Sequence, residues 1–160
     1  MIQRYIFDSS AMDIKKIGNS ILIFITKRLI EISGIIIAIL GILLFLALIS
    51  HSPEDPNFIF PENLEIKNYL GFQGSYTSDL FLQSLGLIAF LIPITFTLSG
   101  IYIFKKKEFF LFLENFFFII IYSVIGSLFF DYFYTDSFNL YINGNGGFIG
   151  EYLNSTFLNS

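Results

Sequence analysis

The sequence predicts an all-α membrane protein, a polytopic helical bundle of three transmembrane helices with the start of a fourth, and three observations carry that prediction. Hydrophobic residues are 54% of its 160 positions, charged residues 14%, and the mean hydropathy is +0.71, leaving too few polar groups to cover a soluble globule of this size. Three apolar runs, 32–49, 80–104 and 109–130, are each long enough to cross a bilayer. Between the first two stands Ser50-His51-Ser52-Pro53-Glu54-Asp55-Pro56, where two prolines lack an N–H and disfavour the helical region for the residue before them. The chain therefore crosses, stops and turns.

Residues 1–28 read as a cytoplasmic tail with a short interfacial helix: Ile21–Ile25 is too short to span, and Lys27 and Arg28 place it at the headgroups. Residues 29–160 form the membrane region, with spans at about 32–50, 75–104 and 109–130 and an incomplete fourth helix from about 146. The first run gives ~27 Å of helix. Within it Gly34, Ala38 and Gly41 recur at helical spacing, and small side chains there let a second helix approach closely, so they are candidate packing residues. The second run, with Ser75 and Asp79 as possible capping groups ahead of it, is ~37 Å if straight, so it must tilt or kink. Pro93, near its middle, is the candidate kink. The third run contains Glu114, its sixth residue, which is near enough to the start to reach the interface and pair with Lys105-Lys106-Lys107. Ser123 and Ser127 are a second pair of candidate packing residues.

Several function classes fall away. Cysteine is absent and His51 is the one histidine, so neither a thiolate zinc site nor a Cys nucleophile can be built, and no catalytic, cofactor-binding or metal residue is expected. The acids of the loop 51–79 lack the spacing of a calcium-binding EF-hand. Asn143-Gly144-Asn145-Gly146-Gly147 lacks the Lys-Ser/Thr of a phosphate loop. A net charge of -4 argues against direct nucleic-acid binding by this chain. Pro93 with Thr95, Thr97 and Ser99 is transporter-like, yet no matching broken helix or buried ion partner accompanies it. The expected partners are the lipid bilayer and other copies of the chain, meeting through the small-residue faces.

Orientation follows from the basic residues. Arg4, Lys15, Lys16, Lys27 and Arg28 precede span one and three lysines lie between spans two and three, while only Lys67 falls in the first loop and none follows span three. The positive-inside rule then puts the N-terminus and Lys105–Lys107 in the cytoplasm, with the first loop and the segment after Asp131 outside.

From about Glu31 to Glu151 the sequence resembles the N-terminal membrane domain of the FtsK/SpoIIIE DNA translocases. The features are Ser33-Gly34 opening an aliphatic span, the break from Ser50 to Phe58 with Ser52, Pro53, Asp55 and Pro56 at its heart, Leu70-Gly71 and Gly74 ahead of Asp79-Leu80, Gly86 with Pro93, and Gly146 to Glu151 heading a fourth helix. The resemblance implies a four-helix anchor in the bacterial inner membrane at the division septum, contacting division proteins and joined in the full-length protein to a hexameric ATPase that pumps DNA. It also implies that this chain, with helix four barely begun and no motor, is a truncated and non-enzymatic anchor. A stand-alone membrane scaffold and a transporter or channel subunit using Pro93 and Glu114 are the competing readings.

Overall fold

The computed structural model describes the backbone of residues 2–56, 65–134 and 143–158, and side chains from Lys15 onward. Asn57, Phe58 and Glu62 of the first loop, and Asp136 after the third span, lie outside the described residues. The described elements are all helical: α1 (Ile2–Ile49), α2 (Gly71–Leu85), a 3-10 turn (Gly86–Phe90), α3 (Leu91–Lys106), α4 (Phe110–Phe133), α5 (Gly147–Leu153) and a π turn (Asn154–Leu158). Among the described residues three helical stretches are long and apolar enough to cross a membrane: 15–49, 71–106 and 110–133.

α1 departs from the expected tail and separate interfacial turn, because it is one unbroken helix of 48 residues. No proline lies in it, and from Asn19 to Ser33 no glycine either, so nothing interrupts the backbone ladder. Ser20 and Thr26 donate to the carbonyls of Lys16 and Leu22, both at 2.9 Å, so their hydroxyls are satisfied inside the helix. At the other end Ser50 Oγ donates to Leu46 O at 2.6 Å, closing the last turn before Pro53.

α1 and α3 pack along the small-residue stripe. A Cβ on Gly34 would lie 2.7 Å from Phe104 N and 2.8 Å from Gly100 O, and one on Gly41 would lie 2.7 Å from Thr97 N and 2.8 Å from Pro93 O. Gly100 answers from α3, where a Cβ would meet Gly34 O at 2.5 Å and Ala38 Cα at 2.8 Å. These neighbours are backbone atoms that cannot swing aside. The helices therefore meet main chain to main chain, which gives dispersion contact where the lipid tails offer no hydrophobic drive. The partner of the Gly34, Ala38 and Gly41 face is thus α3 of the same chain. Beyond the stripe, Leu48, Leu82 and Ala89 form a buried core flanked by Leu44, Phe81, Leu85 and Phe90.

The second span is broken at Gly86. Pro93, the expected kink, is the third residue of α3, in the first helical turn, where a missing N–H has little to lose. The break comes instead from Gly86, at φ 68 and ψ -143, a conformation open essentially to glycine alone. Gly147, at φ 63, faces it: a Cβ on Gly86 would lie 2.7 Å from Gly147 N, and one on Gly147 would lie 2.6 Å from Gly86 N. Leu87 N donates to Asn145 O at 2.9 Å across the same contact, so the loop before α5 takes up a backbone donor freed at the break.

Candidate functional site: helix faces and a polar clasp

Two polar assemblies cap opposite ends of the α1–α3 pair. At the C-terminal end of α1 the break folds onto the start of α2 and forms a clasp. Pro53 and Pro56 prevent helix, and a turn closed by Asp55 N to Ser52 O at 3.1 Å directs the Asp55 carboxylate inward, where it is 4% exposed. Its two oxygens accept the backbone N–H groups of Lys67 and Asn68, each at 2.8 Å. The Asn68 side chain, also 4% exposed, donates to Ala47 O at 2.9 Å, satisfying a carbonyl that the end of α1 leaves unpaired. Asn68 Oδ1 accepts Leu70 N at 3.1 Å, an Asx turn that leads into α2. Ser75 Oγ donates to Pro56 O at 2.7 Å, and Lys67 pairs with Glu54 on the surface.

His51 Nδ1 lies 3.1 Å from Ser78 Oγ, and that hydroxyl donates to Ser75 O at 2.9 Å. With its proton so directed, the Ser78 oxygen accepts from His51, which places the imidazole proton on Nδ1. Burial pushes the His51 pKa below its ordinary 6.5, with Asp79 and Asp55 pulling the other way. Hydrogen bonding to Lys67 lowers Glu54, and Lys67 is raised in return.

At the other end, Glu31 sits one helical step before Gly34 on the face toward α3. It accepts Arg28 at 2.5 Å from its own helix and Lys107 at 2.7 Å from the turn after α3. Lys107 reaches it from a left-handed conformation, φ 61, in which its N–H caps Ile103 O. Glu114, expected to pair with the lysine turn, is exposed and has no ion pair among the described residues; its place is taken by Glu31. The cause is helical register. Glu31 continues the stripe that packs on α3, and Glu114 projects from the open side of α4.

Between these ends α3 and α4 are tied by side-chain hydrogen bonds. Asn115 donates to Ser99 Oγ at 2.8 Å, and Thr95 Oγ1 lies 3.0 Å from Tyr122 OH. Of the two serines expected to pack, Ser127 donates to Leu85 O at 3.0 Å at the break. Ser123, 5% exposed, has no hydrogen-bond partner among the described residues. Gly126 admits Ile88, and the π turn after α5 is tied to α4 where Asn154 donates to Asp131 at 2.7 Å. Asn115, Asn68 and Gly86 are structural residues that hydropathy could not single out, although a polar amide inside an apolar run is itself a signal for helix pairing.

The features at these sites join helices to one another and to the loops between them, and among the described residues no cluster of His, Cys, Asp and Glu could hold a metal. The arrangement defines a multi-pass helical membrane domain. The chain belongs to the family described as the 4TM region of DNA translocase FtsK/SpoIIIE, whose model matches residues 26–160. A DNA translocase FtsK of Shewanella oneidensis is 34% identical over 83 residues, 51% of this chain and 9% of that protein. One from Rickettsia typhi is 36% identical over 76 residues, 46% of this chain and 10% of the relative. One from Azospirillum brasilense is 32% identical over 73 residues, 44% and 12% respectively. The match thus spans only 9–12% of the length of these relatives. No solved structure matches.

Proposed function

We propose that the chain is the membrane anchor and septum-targeting domain of an FtsK-type DNA translocase, acting in cell division and chromosome segregation. The observation that carries this reading is the family match over 26–160, which coincides with the packed bundle. On this reading the domain is not itself an enzyme. It lies in the bacterial cytoplasmic membrane with the N-terminus and the Lys105–Lys107 turn inside, as the distribution of basic residues favours. Its work is to recruit division proteins and bring copies together, raising the local concentration of the motors they carry. DNA is handled elsewhere in such a protein, in keeping with the net charge of -4 here.

The test is localisation. A fluorescent protein fused to this chain, expressed in dividing bacteria, is expected to concentrate at the septum, and a fusion lacking residues 29–160 to be diffuse. Uniform labelling of the whole envelope during constriction overturns septal targeting while leaving the membrane fold intact.

A further inference from the structure

α2 does not run down beside α1. A helix descending from Gly71 would carry Ser78 ~10 Å below the end of α1, yet the Ser78 hydroxyl meets His51, beyond that end, at 3.1 Å. Ser75 bonds Pro56 O, still further along the break. The other end of α2 meets the segment that follows α4, where Asn143 donates to Gln83 O at 3.2 Å and Leu87 N donates to Asn145 O. α2 thus lies across the clasp end of the bundle, at the level where the apolar run of α1 finishes. Gln73, Thr77 and Ser84 along it suit headgroup depth rather than hydrocarbon.

A cavity of ≈ 540 Å³ lies between α2, α1 and α3, within the ~300–1,000 Å³ of small-ligand pockets. Leu43 and Ala47 line it from α1, and Gln73 and Thr77, one helical turn apart, line it from α2. Leu40 and Phe96, at its deep end, are the neighbours of Gly41 and Thr97, so the main-chain packing of α1 on α3 closes that end. Leu40 and Leu43 are 55% and 39% exposed, so the groove opens sideways into the bilayer. Gln73 and Thr77 have no hydrogen-bond partner among the described residues. A polar neck at interface depth therefore joins an apolar slot that runs into the hydrocarbon, which is the layout of a glycerolipid's ester and acyl chain. Charge narrows the headgroup: Glu54, Asp55, Glu65 and Asp79 outnumber Lys67 at this end, and Lys67 is paired with Glu54. An anionic headgroup or a free fatty-acid carboxylate meets repulsion there.

We propose that this groove seats one acyl chain of a zwitterionic glycerophospholipid, whose ester oxygens accept from the Gln73 amide and the Thr77 hydroxyl. The slot follows α1 only from Leu40 to Ala47, ~10 Å, which suits a single chain better than the helix of a second protein. The site is independent of any septal role.

The full chain, purified in detergent and given substoichiometric phosphatidylethanolamine with a diazirine midway along one acyl chain, tests this by cross-linking and by native mass spectrometry. One lipid per chain is expected to be retained, with its cross-links at positions 40–47 rather than on the exposed face of α4. Gln73→Leu/Thr77→Val is expected to retain the lipid about 25-fold less well, each neutral hydrogen bond being worth about fivefold. Leu43→Trp fills the slot and should abolish retention with both polar groups intact. Both variants should melt in lipid-free detergent at the parent temperature, which shows that they fold. Cross-links spread evenly over α4, or undiminished retention in both variants, overturn the proposal. Equal retention of phosphatidylglycerol or of palmitate overturns the headgroup assignment. A disulfide between two copies of Leu43→Cys that displaces the lipid overturns the lipid and gives the groove to a second chain.

Discussion

Asp55 shows how much a single side chain can hold when it faces two backbone donors. Its carboxylate satisfies the N–H groups of both Lys67 and Asn68, and Asn68 in turn satisfies Ala47. Asp55→Ala is expected to leave these donors unpaired and to cost about 2–3 kcal/mol. Asp55→Asn, which keeps one acceptor, should lose roughly half as much, read as the midpoint of unfolding in mixed detergent micelles. His51 gives the clasp a pH response. Burial depresses its pKa below 6.5, so the unfolded chain takes up a proton first on acidification. The stability from neutral His51 is therefore complete above that ordinary value and lost as the pH falls through the lower folded one. The parent chain should melt progressively earlier from about pH 7.5 to about pH 5.5, and His51→Gln should flatten that part of the profile. An unchanged slope in His51→Gln would show that the imidazole does not carry the response.

Among the helices, the faces that bury backbone against backbone are the least tolerant. Gly34→Leu or Gly41→Leu drives a side chain into main-chain atoms of α3 and is expected to cost at least about 3 kcal/mol, the upper part of the overpacking range. Loss of α1–α3 proximity, followed by a spectroscopic ruler between labels at positions 33 and 105, checks this. Unaltered proximity with altered chain association would move the face to a contact between copies. The existence of the three spans and the approximate extent of α4 were legible from hydropathy, because a bilayer requires long apolar runs whose backbones satisfy themselves, whereas α1 runs on far beyond its apolar stretch toward Ile2. The break in the second span was not. Proline is the conspicuous breaker in sequence, but early in a helix it is tolerated, whereas the positive φ of Gly86 depends on contact with Gly147, sixty-one positions away. The Asp55 clasp was hidden for the same reason: the prolines marked a stop, but its hydrogen bonds reach 12 and 13 residues along the chain. Glu31 could have been found, since with Gly34, Ala38 and Gly41 it completes one helical stripe, while Glu114 drew attention by lying inside an apolar run.

For the molecule as a whole, the charges are divided between its ends. Arg28, Lys27 and Lys105–Lys107 gather at one, and Glu54, Asp55, Glu65 and Asp79 with Lys67 at the other. A cysteine-free background lets single thiols report the orientation this division implies. Tyr69→Cys and Tyr134→Cys are expected to react in intact cells with a maleimide that cannot cross the cytoplasmic membrane, after permeabilisation of any outer membrane. Lys106→Cys should react only after lysis. Protection of position 134 with labelling of position 69 would mean that α4 does not cross.

The uninterrupted α1 has a mechanical meaning. From Ile2 to Ile30 it forms a shaft ~43 Å long, rigidly continuous with the turns clamped by α3. A continuous helix without proline has no break at which to absorb torsion, so a rotation of the bundle in the bilayer is passed on toward its far end. A displacement at the clasp is carried along one axle to the opposite side of the membrane. Inserting a pair of glycines at Asn19 would install a universal joint and uncouple the two.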